Sequence, residues 1–296
     1  MTPRYPLAFE GIPAWASTQQ LSVAEARTRF AQYAILRAIA GSRTLAAILV
    51  FKGGNALDFV WQPNRSTRDL DFTMDMAVRR DPIDLEHLRE IFVRSLAVST
   101  RELAVALQVQ RVRQQPPGLE KTFITYDVRV GYALPDEQPL RDRMQSGQSS
   151  TRVIPLEIAM NEVIGDAEVV ALDATHQLRV CTVEDIVAEK LRALLQQPLR
   201  NRLRPQDLLD IAVVLQGGAD LDPDRVARFL LAKARARGVA VSRAAFHHPE
   251  VARRAFSDYD ALRLTTRARF IPADEALSVL YAFIDTLPIP ERETMP

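Results

Sequence analysis

An α+β domain followed by a helical one is the fold class this sequence predicts, and three observations predict it. Up to about residue 182, short apolar runs alternate with glycine and proline breaks, the mark of strands and tight corners. From Thr182 onward the apolar residues recur with helical spacing, and proline and glycine merely separate the segments. With 296 residues and 47% hydrophobic content, the chain is long enough to bury two ordinary cores. The expected domains are therefore residues 1–182, built around a mixed sheet, and 183–296, built from helices.

Residues 22–40 place Ala24, Ala26, Phe30, Tyr33, Ala34, Leu36 and Ile39 at near-helical spacing before Gly41-Ser42, which predicts a helix with a glycine stop. Leu45 to Phe51 is an apolar run ended by Gly53-Gly54, and Ala56, Leu57 and Val60 follow at helical spacing. The expected local structure is strand, glycine corner, helix. A strand is expected at Leu70 to Met74, and an amphipathic helix at Leu85 to Leu96. Residues 104–113, 121–133 and 151–160 read as strands, with Pro116-Pro117-Gly118 as a turn, giving a sheet of about five strands. The later helices are expected at Val183 to Gln196, Pro205 to Leu215, Pro223 to Arg237 and Ala273 to Leu287, with no internal repeat.

Composition narrows the chemistry. The longest apolar stretch is far shorter than the roughly 20 residues a membrane span needs, and no charged-then-apolar leader opens the chain, so the expected compartment is the cytoplasm, with no membrane partner. One cysteine, Cys181, makes no internal disulfide, and the four histidines never take metal-ligand spacing. Any metal must be held by oxygen. Net charge is only +1, but residues 220–270 hold eleven Arg or Lys against six Asp or Glu. Only four of the 38 basic residues are lysines, namely Lys52, Lys121, Lys190 and Lys233. In a chain that defaults to arginine, a retained lysine marks a place suited to a compact ammonium.

Asp69-Leu70-Asp71 opens a predicted strand, where alternation points both carboxylates to one face, close enough to share a hard cation. The alternative is a solvated acidic turn. Gly53-Gly54 at the preceding corner either lets backbone N–H groups approach a phosphate or is a plain turn. Glu157 is an acid in an otherwise apolar predicted strand. It is either a third carboxylate for a metal or a side chain facing solvent from an edge strand, which Pro155 would suit. Thr182 reads as a helix N-cap with Glu184 and Asp185 in the first turn. Downstream in Glu189-Lys190-Leu191-Arg192-Ala193, Lys190 is either a functional cation or a surface lysine paired with Asp185 or Glu189. Asp207 and Asp210 open the next helix on one face, where they either complement its dipole or hold a partner.

In this order, Lys52-Gly53-Gly54, then Arg65-Ser66-Thr67-Arg68-Asp69-Leu70-Asp71-Phe72, then Glu189-Lys190-Leu191, then Asp207-x-x-Asp210, the chain resembles the AbiEii/AbiGii abortive-infection nucleotidyltransferases, toxins of type IV toxin–antitoxin systems. The resemblance covers roughly residues 25 to 215. Thr67 stands where the family usually has serine, and Leu209 where tyrosine is frequent. What the resemblance implies is a DNA-polymerase-β-like nucleotidyltransferase domain followed by a helical one, using Mg2+ and a nucleoside triphosphate. It implies a cognate antitoxin and, by likeness to some relatives, addition of nucleotides to the 3′ end of tRNA with a block of translation. Asp69 and Asp71, with Glu157, would hold the metal; Lys52, Gly53, Gly54, Arg65, Thr67 and Lys190 would bind the nucleotide; Asp69, Asp71, Lys190 and Asp207 would carry catalysis, with Asp207 positioning Lys190 or the nucleotide. Transfer to a small molecule or a protein side chain is the alternative within the same fold, and a non-catalytic partner-binding protein the alternative outside it.

Overall fold

The computed structural model describes residues 4–65, 67–78, 83–118 and 123–292. Ser66 of the arginine–aspartate motif, Lys121, and the first two positions of the expected 121–133 strand lie outside the described residues. The chain forms two compact units. The first comprises Met1–Val60, Thr67–Glu162 and Glu168–Val180; the second comprises Trp61–Ser66, Val163–Ala167 and Cys181–Pro296. The second unit thus includes two earlier segments besides the chain after residue 180.

The first unit begins with helices α1 (Ile12–Thr18), α2 (Val23–Ala40) and α3 (Arg43–Ile48), which lead into strand β1 (Leu49–Lys52). Helix α2 opens on a capping box: Ser22 accepts from the Glu25 N–H while Glu25 bonds back to Ser22. A short helix α4 (Gly53–Ala56) and a π-helical turn (Leu57–Trp61) follow β1, before strand β2 (Leu70–Met74), helix α5 (Leu85–Leu103) and the long hairpin of β3 (Ala106–Gln115) and β4 (Thr125–Ala133). Helix α6 (Gln138–Gln145) and strands β5 (Val153–Ala159), β6 (Ala167–Ala171) and β7 (Gln177–Cys181) complete the sheet.

Among the described residues the sheet has seven strands in the order β3-β4-β5-β2-β1-β7-β6. It is mixed. β1 runs antiparallel to β2 and parallel to β7, β2 runs parallel to β5, and β4 runs antiparallel to β3 and β5. The α+β class with a mixed sheet holds; helices α1 and α6 are not among the expected elements, and the sheet differs from the sequence reading in two ways. The apolar run Leu45–Phe51 is not one strand: Ser42 caps a helix by accepting the Leu45 N–H, so the chain is helical to Ile48 and extended only from Leu49. A short apolar run carries no period that separates the two states. The β6–β7 hairpin also adds two strands that its alanines and short length concealed.

Register sorts the two faces of the sheet, since side chains alternate along each strand. Phe51, Phe72, Ile158 and Tyr126 form one row, all nearly or fully buried. Each buried aromatic or aliphatic side chain contributes about 1.5–3 kcal/mol of hydrophobic stabilisation. One position along, on the opposite face, Lys52, Asp71, Glu157, Asp127 and Arg113 form a second row made wholly of charges. That row is where chemistry can sit.

The second unit is helical, with α7 (Val183–Arg200), α8 (Pro205–Gln216), α9 (Pro223–Arg237), α10 (Arg243–Phe246), α11 (Pro249–Phe256), a 3-10 turn (Tyr259–Leu264) and α12 (Ala273–Thr286). Thr182 caps α7 by accepting the Asp185 N–H. Asp185 is itself buried, accepts the Gly165 N–H at 2.6 Å and pairs with Lys233 of α9 at 3.0 Å. Lys233 also donates to the Val163 carbonyl at 2.6 Å, so one buried pair fixes the Val163–Ala167 segment to α7 and α9. No described helix is long and apolar enough to cross a membrane.

Candidate active site

In the first unit the Lys52-Gly53-Gly54 corner and the Asp69-Leu70-Asp71 segment meet. Gly53 has φ +73, and a Cβ placed on it would stand 3.0 Å from both Cβ and Cγ of Asp71 and closer still to its carboxylate. Glycine is therefore needed twice over, for the left-handed backbone and for the close approach of the acid. This contact is what turns two separate sequence motifs into one local structure. Gly54 continues into the first turn of α4.

Asp69 and Asp71 are both half-buried, whereas Glu157 is exposed although it pairs in register with Asp71. The edge-strand alternative for Glu157 needs correcting, because β5 lies between β4 and β2. Pro155 is nonetheless accommodated at a local edge, since pairing with β2 begins only at Leu156. Next to Glu157 stands Asp127, buried and ion-paired with Arg111 and, at 2.7 Å, with Arg129.

Lys52 is ion-paired with Glu162, which also accepts from the Thr73 hydroxyl at 3.2 Å. Thr67 turns its hydroxyl inward: Oγ1 is buried and meets no hydrogen-bond partner among the described residues.

A hard divalent cation requires oxygen donors, and Asp69 and Asp71 supply them beside a corner that excludes any Cβ. The donor set fits Mg2+. Among the described residues no group of three His, Cys, Asp or Glu side chains is arranged to hold a metal, so Glu157 does not join the pair as a ready third ligand. Two carboxylates suffice where phosphate oxygens and water fill the remaining positions, as Mg2+ prefers.

The second unit holds a different cluster. Lys190 Nζ lies 2.9 Å from Asp207 Oδ1 and 2.8 Å from Asp210 Oδ2. Arg65 grips the same Asp210 with two nitrogens, at 3.3 and 3.2 Å, and its backbone forms a β-bridge with Thr266. Lys190, Asp207 and Asp210 are all buried. Burial alone would depress the Lys190 ammonium, but the two aspartates outweigh it and hold its pKa above the ordinary lysine value. Burial likewise pushes Asp210 up, and Lys190 with Arg65 brings it below the usual carboxylate range. The surface-lysine alternative for Lys190 is overturned, since Asp185 pairs with Lys233 and Glu189 with Arg192.

The AbiEii family pattern, nucleotidyl transferase AbiEii toxin of type IV toxin–antitoxin systems, matches residues 34–279. The chain belongs to that family. It is a nucleotidyltransferase, and family membership implies a nucleoside triphosphate substrate and a cognate antitoxin. The fold is shared with MenT4, a nucleotidyltransferase toxin from Mycobacterium tuberculosis H37Rv, at TM-score 0.60 and 18% identity over 95% of this chain and 91% of that one. JHP933 from Helicobacter pylori is similar at TM-score 0.52 and 16% identity, over 90% of this chain and 92% of that one. At such identities the likeness speaks to fold alone. No curated protein sequence matches this chain.

Set against the AbiEii motifs, the structure brings Lys52, Gly53, Asp69, Asp71 and Glu157 into the first unit, and Arg65, Lys190, Asp207 and Asp210 into one ion cluster of the second. Sequence reasoning missed Glu162 and Asp127, which have no pattern of their own. It also missed Gln32 and Asn55, two buried carboxamides that bond to the backbone of residues 67–69.

Proposed function

We propose that this AbiEii family member is a toxin that transfers nucleotides from a nucleoside triphosphate to the 3′ end of tRNA in the cytoplasm and so blocks translation, with Mg2+ held by Asp69 and Asp71. The observation that carries the reading is the close approach of the Gly53 backbone to the Asp71 carboxylate, which joins a glycine corner suited to phosphate with a carboxylate suited to a cation. Bound Mg2+ supplies Lewis acidity at the phosphate and lowers the pKa of the attacking 3′ hydroxyl. Asp69 and Asp71 hold the metal–nucleotide in one orientation. Gly53 and Gly54 leave their backbone bare to the phosphates, and Lys52, held by Glu162, supplies positive charge beside that corner. Glu157, exposed beside Asp71, adds negative charge to the row without acting as a direct ligand.

RNA as acceptor is supported by the arginine excess over residues 220–270, where Arg228 and Arg235 stand exposed on α9.

Incubation with each labelled nucleoside triphosphate, Mg2+ and total tRNA, followed by sequencing of tRNA 3′ ends, tests the reading. Added nucleotides with the natural chain and none with Asp71→Ala are expected. Label in a small molecule or a protein instead of tRNA would overturn the acceptor. Undiminished transfer by Asp71→Ala would overturn the site.

A further inference from the structure

Residues 67–69 have no regular secondary structure, yet they carry Asp69 and lead directly into Asp71. Irregular backbone at this point would let both carboxylates wander. It is held instead by two carboxamides from separate helices. Gln32 of α2 is 2% exposed, and its Nε2 lies 2.9 Å from the Thr67 carbonyl and 3.2 Å from that of Arg68. Asn55 of α4 is 0% exposed, and its Nδ2 donates to the Thr67 carbonyl at 3.2 Å and to that of Asp69.

A carboxamide nitrogen carries two protons. Both nitrogens therefore commit all their donors to three consecutive carbonyls. Burying such a group costs free energy that a leucine or methionine would not incur, and the cost is offset only by the bonds it makes. Phe30, Tyr33, Ala34, Leu36 and Ile39 fill interior positions of α2, and Gln32 and Arg29, which pairs with Asp58, are its buried polar side chains. What distinguishes Gln32 is the segment it holds.

We propose that Gln32 and Asn55 are positioning residues of the transfer reaction, a two-carboxamide clamp that fixes the backbone of residues 67–69 and with it the geometry of Asp69 and Asp71. The proposal rests on the reading of those two aspartates as the metal site. A misplacement of about 1 Å in such a constellation is enough to cost about a hundredfold in rate.

Mn2+ binding to the full-length protein, followed by electron paramagnetic resonance, tests the clamp together with amide hydrogen exchange over residues 67–71. The variants are Gln32→Met, which removes the donors at similar volume, Gln32→Glu, which puts acceptors in their place, and Asp71→Asn. Ser99→Ala is the control, because the Ser99 hydroxyl is also buried and also bonds to α2, at the Ala34 carbonyl, away from the clamped segment. The clamp predicts at least about tenfold weaker Mn2+ binding and faster exchange at residues 67–71 in both Gln32 variants, with Ser99→Ala within about twofold of the natural chain. Unchanged affinity and exchange in the Gln32 variants, while Asp71→Asn loses the ion, would overturn the clamp. Retained affinity in Asp71→Asn would instead overturn the metal reading beneath it. Should Gln32→Met fail to fold, Gln32→Glu and Asn55→Asp carry the same comparison.

Discussion

The Asp69–Asp71 pair of the first unit and the Lys190–Asp207–Asp210–Arg65 group of the second are both clusters of charge, but the first lies within one short segment while the second gathers distant parts of the sequence, and they are built in opposite ways. In the first, Asp69 and Asp71 are half-buried, and Asp71 stands in a row of charges on one face of the sheet, between Lys52 and the exposed Glu157. In the second, Lys190, Asp207 and Asp210 are buried and Arg65 half-buried, and contacts of 2.8–3.3 Å join the two cations to the two anions. Charges that complete their own pairing need nothing further to be stable. Half-buried carboxylate oxygens remain within reach of a hard cation that takes oxygen donors. On the proposed reading the cation belongs to the first cluster, and the second holds Lys190 and Arg65 in place.

Lys190→Met gives the largest effect. It leaves Asp210 buried with Arg65 and Asp207 with Arg204 at 4.0 Å, and breaking a buried pair in this way costs about 3–5 kcal/mol. Chemical denaturation of the two proteins measures it. A variant as stable as the natural chain would mean that the second cluster is not self-completing.

Gly53→Ala comes next. A left-handed residue other than glycine costs about 1–3 kcal/mol, and the new methyl must also displace the Asp71 carboxylate. Transfer activity should therefore fall further than the melting temperature suggests. Equal losses at Gly53→Ala and Gly54→Ala would show that the corner is generic rather than fitted to Asp71.

A smaller and sharper difference lies in pH. Asp210 has a depressed folded pKa, so its contribution to stability is present above the unfolded value, about 3.9, and is lost as pH falls through the folded one. Lys190 has a raised folded pKa, so its contribution is complete below the unfolded value, about 10.4, and is lost as pH rises through the folded one. The cluster's contribution to stability should therefore be level from about pH 5 to 10 and decline outside that window, as melts across pH would show. In Asp210→Asn the acid-side decline should shrink.

The smallest effect is expected at Glu157. Glu157→Gln alters an exposed side chain, so stability should stay within about 0.5 kcal/mol and Mn2+ affinity within about threefold, by titration. A loss as deep as that of Asp71→Asn would restore Glu157 as a direct ligand.

The difference between the clusters also explains what the sequence disclosed. Gly53-Gly54, Asp69-x-Asp71, the Thr182 cap and the helices from Val183 onward are local signals, each written in adjacent residues with a fixed period or spacing, and each is found in the structure. What joins them is not local. The approach of Gly53 to Asp71 depends on the β1–β2 register, and Glu162 reaches Lys52 across 110 residues. Gln32 reads as a polar position on a helix surface because its carbonyl partners lie 35 and 36 residues away. Lys190 stands out by its rarity, and helical spacing offers it only Asp185 or Glu189, whereas its pairing with Asp207, which the family resemblance implies, joins it to the next helix, as does Asp210. In β6 the run Ala167-Glu168-Val169-Val170-Ala171 is too short and too small-sided to declare itself as a strand.

Titration of Mn2+ into the natural chain and into Asp71→Asn, read by electron paramagnetic resonance at matched protein stability, tests the division between the clusters most directly. Tight Mn2+ binding in the natural chain and a loss of more than about a hundredfold in Asp71→Asn is the result predicted for an ion held by this pair. Equal affinity in the two proteins would contradict it.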